Sequence, residues 1–146
     1  VRQAQAISYK NVETEEDRRA AFDVRRRVFV VEQGVADEIE YDEYDATAIH
    51  YLATLGRDPV AAARAVIYGE WGKIGRVAVV REHRGEGIGI GITRFVEDDL
   101  AGRGITKFFL HAQTWVQGFY EKLGYLAEGD VFQEADIDHV RMTKRL

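Results

Sequence analysis

From Arg84 to Gly89 the chain reads Arg-Gly-Glu-Gly-Ile-Gly, after an apolar run over residues 73–80 and before a segment with helical apolar spacing. A strand, a glycine-rich turn and a helix in that order can hold phosphate, because unpaired N–H groups at the helix start point at the anion and the helix dipole favours it. The dinucleotide fingerprint requires glycine at its first, third and sixth positions. Counted from Gly85 the last of these is Ile90, and counted from Gly87 it is Ile92, so that template fails. A triphosphatase loop requires Gly-Lys followed by serine or threonine, and Gly72-Lys73 is followed by Ile74. What remains is an arginine three residues before Gly-x-Gly, which suits a pyrophosphate: small residues let the backbone approach, and Arg84 adds a charge-assisted bond. The hexapeptide can also be read as a glycine-rich turn with no ligand.

Other chemistries are excluded by residue type. The chain has no cysteine and a single serine, Ser8, which removes disulfides, thiolate metal sites and serine or cysteine nucleophiles. His50, His83, His111 and His139 are scattered without an HExxH spacing, so no metal is expected. The net charge is −5 and no long basic run occurs, which argues against nucleic acid. No stretch of about 20 apolar residues and no signal-peptide pattern is present, so no membrane partner and a cytoplasmic location are expected. Seven carboxylates and no basic residue lie between Glu32 and Asp45. Their spacing does not fit a calcium loop; the segment is either solvated or serves to attract a cationic acceptor.

The positioning elements follow from periodicity. At 146 residues, with 46% hydrophobic and 31% charged, the chain is expected to form one domain over residues 1–146. Residues 4–9 are short and partly alternating. Thr14-Glu15-Glu16-Asp17 reads as a helix start, and Phe22, Arg25, Val28 and Phe29 extend that helix from about 15 to 30. Of Arg25, Arg26 and Arg27, one member is expected to point inward. Residues 50–55 and 60–68 form a hairpin around the turn at 56–59, and 73–80 is a third strand. Ile92, Phe95, Val96 and Leu100 share one helical stripe ending at Gly102 or Gly104, although Gly91 stands where a better helix former is expected. A strand at 105–112, a short helix at 116–123 and a final strand pair at 125–129 and 139–144 complete the chain.

Several segments in this order carry a family resemblance: Arg27-Val28-Phe29-Val30-Val31-Glu32-Gln33, Asp42 to Asp45 leading to His50, Gly75-Arg76-Val77-Ala78-Val79, Arg84 to Gly89, Phe119-Tyr120-Glu121-Lys122-Leu123-Gly124-Tyr125, and Glu134-Ala135-Asp136-Ile137-Asp138-His139. Together they resemble the ElaA/YjcF-like branch of the GNAT superfamily of N-acetyltransferases over roughly residues 20 to 144. One departure is Asp136, where the branch usually carries glycine.

The resemblance implies an α/β, single-domain GNAT fold, with a mixed and largely antiparallel central sheet flanked by helices and a splayed central strand pair. It implies acetyl-CoA as co-substrate and transfer to the amine of a small molecule by direct attack in a ternary complex. A non-catalytic acyl-CoA-binding module and a protein or peptide acetyltransferase are the alternatives. The implied cofactor contacts are the main chain of Ala78, Val79 and Val80, whose donors near Val79 and Val80 face the thioester oxygen, together with Arg84, Gly85, Gly87, Ile88, Gly89 and Phe119. The opposite wall begins at residues 111–114. Tyr120 falls at the general-acid position; without the motif it reads as a packing residue, as Tyr125 still does. The base is His139 or, through water, Glu32. The acceptor pocket is drawn from Arg27, Phe29, Glu32, Gln33, His111 and Gln113, with Arg27 offering a site for an anion on the amine. A homodimer is expected from the commonness of that assembly, with the carboxyl-terminal strand as its contact.

Overall fold

The computed structural model describes residues 6–146, so Ala4 and Gln5 of the expected first strand lie outside it and β1 spans Ile7–Asn11. Helix α1, Glu15–Arg25, starts where the sequence placed it. The Thr14 hydroxyl accepts the Asp17 N–H at 3.1 Å, and Glu15, Glu16 and Asp17 complement the helix dipole. The helix expected to run to residue 30 instead widens over Arg26–Glu32 into a π-helical segment, in which the Gln33 N–H reaches back five residues to the Val28 carbonyl at 3.1 Å. There follow α2 (Asp37–Glu40), a tight turn at Glu43–Ala46, β2 (Ile49–Leu55), β3 (Asp58–Tyr68), β4 (Trp71–Val79), α3 (Ile88–Gly102), β5 (Lys107–Gln113), α4 (Gln117–Lys122), β6 (Leu126–Glu134) and β7 (Ile137–Arg145).

The strands form one sheet in the order β1-β2-β3-β4-β5-β7-β6, antiparallel throughout except between β4 and β5. That parallel pairing is confined to Trp71–Lys73 of β4 against Lys107–Phe109 of β5. Beyond it β4 pairs with β3 and β5 with β7, so the two central strands splay as expected. Strand β7 lies between β5 and β6, which leaves β6 at the edge of the sheet. β6 and β7 are longer than their periodicity suggested, because β6 is mostly exposed and lacks an apolar face to read.

Consecutive alanines make the centre of the sheet thin. Ala61, Ala62 and Ala63 of β3 are all buried, so both of its faces are covered. α1 packs Ala21 and Val24 there, and α3 packs Ile88, Ile92, Val96 and Leu100, four residues apart on one stripe. Gly91 on α3 is explained by close approach: a Cβ there would lie 1.9 Å from the Tyr9 hydroxyl oxygen of β1. The β6–β7 turn holds Ala135 and Asp136 at φ 52° and 61°, left-handed at both residues, which is why glycine suits position 136.

The acidic segment is only partly solvated. Glu40 and Asp45 are buried and Asp42 half-buried, while Glu32, Asp37, Glu38 and Glu43 are exposed. Arg25, the inward member of its cluster, is fully buried and donates to Glu40 Oε1 at 2.8 Å and Asp45 Oδ1 at 2.7 Å. Arg64 of β3 donates to Asp42 Oδ1 at 2.6 Å and to Asp45 Oδ1 at 3.0 Å. Burial would push the Asp45 carboxyl up, but the hydrogen bonds and charge of Arg25, with Arg64, outweigh it and hold the group far below its usual range.

A carboxyl depressed in the fold contributes stability that is complete above its unfolded value, near pH 4, and is lost as pH falls through the folded one. Asp45→Asn is therefore expected to cost about 3–5 kcal/mol at pH 7, with the deficit shrinking below about pH 4; denaturant titrations at pH 7 and pH 3 that gave the same deficit would contradict this. Gly91→Ala is expected to lower stability by about 1–3 kcal/mol despite alanine's better helix propensity, and Tyr9→Leu in the same chain to recover most of it. Thermal melts of the single and double variants check the pair.

Candidate active site

The parting of β4 from β5 opens a cleft of about 810 Å³. One wall is β4 and the turn after it; the other is the end of β5 with α4. Val80 donates its N–H to the Val60 carbonyl at 2.9 Å, and Ala78 faces Ala62 in the same ladder. Antiparallel alternation therefore turns the main chain of Val79 away from β3 and into the gap. Of the three residues expected to offer main-chain groups there, Val79 does so, while Val80 is buried and its N–H is already bonded. Between Ala62 and Arg64 the ladder is bulged, so that Arg76 and Val77 stand opposite Ala63, with Arg76 at φ 51°. The Arg76 guanidinium is tied to the carbonyls of Glu40, at 3.1 Å, and Ile39, at 3.3 Å.

At the far end of β4, Gly85 and Gly87 both adopt φ 81°, and Gly87 caps α3. The first backbone bond of the helix runs from the Gly91 N–H to the Gly87 carbonyl at 3.0 Å, so the N–H groups of Ile88, Gly89 and Ile90 have no acceptor within the helix. A Cβ on Gly89 would meet Phe119 Cζ at 3.2 Å, so glycine keeps this amide uncovered beside the ring. Arg84 donates through Nε to the Val79 carbonyl at 3.0 Å and forms a two-pronged pair with Glu32 at 2.5 and 2.6 Å. The Arg84 bonds hold the Glu32 carboxyl below its usual range. Glu32 is thus held beside Arg84, just before the turn that leads into α3.

Tyr120 on α4 lines the cleft with its ring edge-on to Phe119 and Tyr125, and burial pushes its phenol well above the ordinary value. Tyr125 is fully buried just before β6, its hydroxyl donating to Glu97 Oε2 of α3 at 2.7 Å. On β7, His139 has Nδ1 at 2.7 Å from the Ile137 carbonyl; a carbonyl only accepts, so Nδ1 carries the proton and Nε2 is the basic nitrogen. That Nε2 lies 3.7 Å from Glu134 Oε2, while Glu134 Oε1 is 3.1 Å from His111 Nδ1. The hydrogen bond from His111 outweighs burial and holds the Glu134 carboxyl below its usual range.

Gln113 donates to Gln33 at 3.0 Å across the cleft, and Phe29 lines it beside them. The sequence therefore assembled Phe29, Gln33, His111, Gln113, Tyr120 and His139 from four distant segments, and the fold brings them together. Arg27 is not brought in: it pairs with Glu82 at 3.1 Å on another face. Glu134 and Lys73 line the cleft without having been singled out as site residues, since a lone carboxylate or lysine on a strand carries no local signal. Among the described residues no group of three or more His, Cys, Asp or Glu is arranged to hold a metal ion.

Comparison with known proteins agrees with this geometry. Residues 5–146 match the model of the acetyltransferase (GNAT) domain. The uncharacterized N-acetyltransferase YjcF of Bacillus subtilis is 39% identical over 141 residues, covering 95% of this chain and 98% of that protein. Protein ElaA of Escherichia coli is 30% identical over 132 residues, covering 87% and 86%. The crystal structure of E. coli ElaA aligns with a TM-score of 0.84 at 27% identity over 96% of this chain and 100% of that one. That of an acyl-CoA N-acyltransferase from Pseudomonas aeruginosa aligns with a TM-score of 0.83 at 26% identity, over 97% and 99%. A match of this extent, on a sheet whose central strands part beyond Lys73 and Phe109, means that the chain belongs to the GNAT acetyltransferase family, on the branch of YjcF and ElaA.

Proposed function

We propose that the protein transfers the acetyl group of acetyl-CoA to the amine of a small-molecule acceptor, by direct attack while both are bound. The observation that carries this reading is the wedge itself: the main chain of Val79 on one wall, the Tyr120 phenol on the other, and unspent amides at the start of α3 between them and solvent. Acetyl-CoA supplies an acetyl group activated as a thioester. Its diphosphate would be held by the amides of Ile88, Gly89 and Ile90, with Gly85 and Gly87 admitting close approach, Arg84 adding positive charge and Phe119 flanking. Its pantetheine arm would run beside β4, and the Val79 N–H is the donor left to face the thioester oxygen.

The reacting groups then balance. The amine nitrogen forms the new bond to the acetyl carbon as the carbon–sulfur bond breaks. Nε2 of His139 takes the amine proton, and the Glu134 carboxylate stabilises the resulting imidazolium. Tyr120 gives its proton to the departing sulfur, a role open to a phenol because it is protonated at neutral pH. Afterwards His139 loses its proton to solvent and Tyr120 regains one. Glu32, paired with Arg84 at the phosphate end, is assigned to holding that arginine.

Tyr120→Phe is expected to lower kcat by about 100-fold or more while the acetyl-CoA Kd from calorimetry stays within about twofold. Undiminished turnover would remove the phenol from this role, and no thiol release with any amine while acetyl-CoA still binds would leave a carrier module. Gly87→Val forces a β-branched residue toward φ 81°. Its acetyl-CoA affinity is expected to fall about tenfold or more, in line with losing one or two charge-assisted bonds; unchanged affinity in a chain that melts normally would refute the helix-start site.

A further inference from the structure

The wedge contains a cation that its own carboxylates do not neutralise. Lys73 is the last residue of β4 to pair with β5, opposite Phe109, so its side chain stands at the closed end of the gap, where it is half-buried and lines the cleft. Four charged groups face it from the surrounding elements: Glu134 from β6, Arg64 from β3, Arg76 from β4 and Asp42 from the segment after α2. Both carboxylates are already engaged. Asp42 accepts from Arg64 at 2.6 and 2.8 Å and from Arg76 at 3.3 Å, and Glu134 is bonded to His111 at 3.1 Å. Glu40, the other carboxylate of this end, is taken by Arg25 at 2.8 Å and Arg76 at 3.3 Å. No ion pair closes on Lys73 among the described residues. Burial pushes its amine down, helped by Arg64 and Arg76, and the charges of Glu134 and Asp42, neither within ion-pair distance, only partly offset this.

Such a group gains most from an anion that arrives with a ligand. Resting on the transferase reading, we infer that Lys73 is the anion subsite of the acceptor pocket: the acceptor is an amine that also carries a carboxylate or a phosphate. The lysine holds the anionic end at the apex of the wedge while the amine faces His139, and Tyr68, Val66 and Ile39 provide an apolar wall for its carbon skeleton. Arg27, which the sequence offered for that anion, points to another face.

The test uses the full chain saturated with CoA and three matched pairs of probes: glycine with glycinamide, β-alanine with β-alaninamide, and O-phosphoethanolamine with ethanolamine. Calorimetry is expected to show at least one anionic member binding ten times or more tighter than its neutral partner, and the pair that shows it separates carboxylate from phosphate. Lys73→Met is expected to bring that ratio to within twofold of unity, and Lys73→Arg, which keeps the charge but cannot act as a base, to retain it. Neither change should raise the CoA Kd, and Lys73→Met should not lower Tm, because it removes a desolvated charge and breaks no pair. Absence of any anionic preference in the wild type, or a preference that survives Lys73→Met, overturns the inference. Thiol release from acetyl-CoA with the same six amines is read separately: none, with the binding ratio intact, sinks the transferase and keeps the anion subsite, whereas release without the ratio does the reverse.

Discussion

Everything in this molecule turns on the loss of pairing between β4 and β5 after Lys73 and Phe109. Main-chain groups inside a sheet need partners, and leaving them unpaired away from water costs about as much as a lost hydrogen bond. β5 keeps β7 on its far edge and β4 keeps β3, so the deficit falls on the two edges that face each other across the gap, on the β4 side at the Val79 N–H. An extended ligand arm with its own amides is the natural remedy. Because β4 leads through Gly85 and Gly87 into α3, an arm lying along the strand would reach the free helix-start amides. A strand of apolar side chains thereby makes a binding site through its backbone alone.

A third side of the cleft, the segment around Glu40 and Asp42, is held by buried charge. Arg25, Arg64 and Arg76 come from α1, β3 and β4, and each closes on carboxylates of the segment between Glu40 and Asp45. In a low-dielectric setting every one of these groups is costly alone, so the segment can leave only if several pairs break together. Arg76 links the two halves of the design. Its left-handed backbone forms the bulge that shapes the gap, and its guanidinium grips the carbonyls of Ile39 and Glu40 on the acceptor wall. With these charges mutually satisfied, Lys73 is left among the described residues as a cation of the cleft that no ion pair closes on.

Much of the fold was legible because its signals are local. The Thr14 cap, the Gly56 turn of the first hairpin, the stripe from Ile92 to Leu100 and the glycine turn before α3 each lie within one element. The position of Tyr120 in the cleft was legible only through the resemblance of its segment to the family, whereas the turn from Gly85 to Gly89 was legible from its glycines. Gly91 was not, since its reason is Tyr9 on a strand eighty residues earlier in the chain (91 − 9 = 82). Nor was the fate of the acidic run, whose partners come from three other elements.

Order along the chain by itself thus determined most of the elements, the glycine turn before α3 and, through resemblance, the family, because helix caps, turns and periodic apolar faces depend on neighbours within a few residues. Tertiary structure alone decided that Arg27 faces outward while Arg25 faces in, that Glu32 serves Arg84, and that Glu134 joins His111 to His139 with Lys73 at the apex. Those are statements about which strands lie side by side and where a π-helical turn shifts the phase of a helix. Non-local register sets both, and no spacing along the chain encodes it.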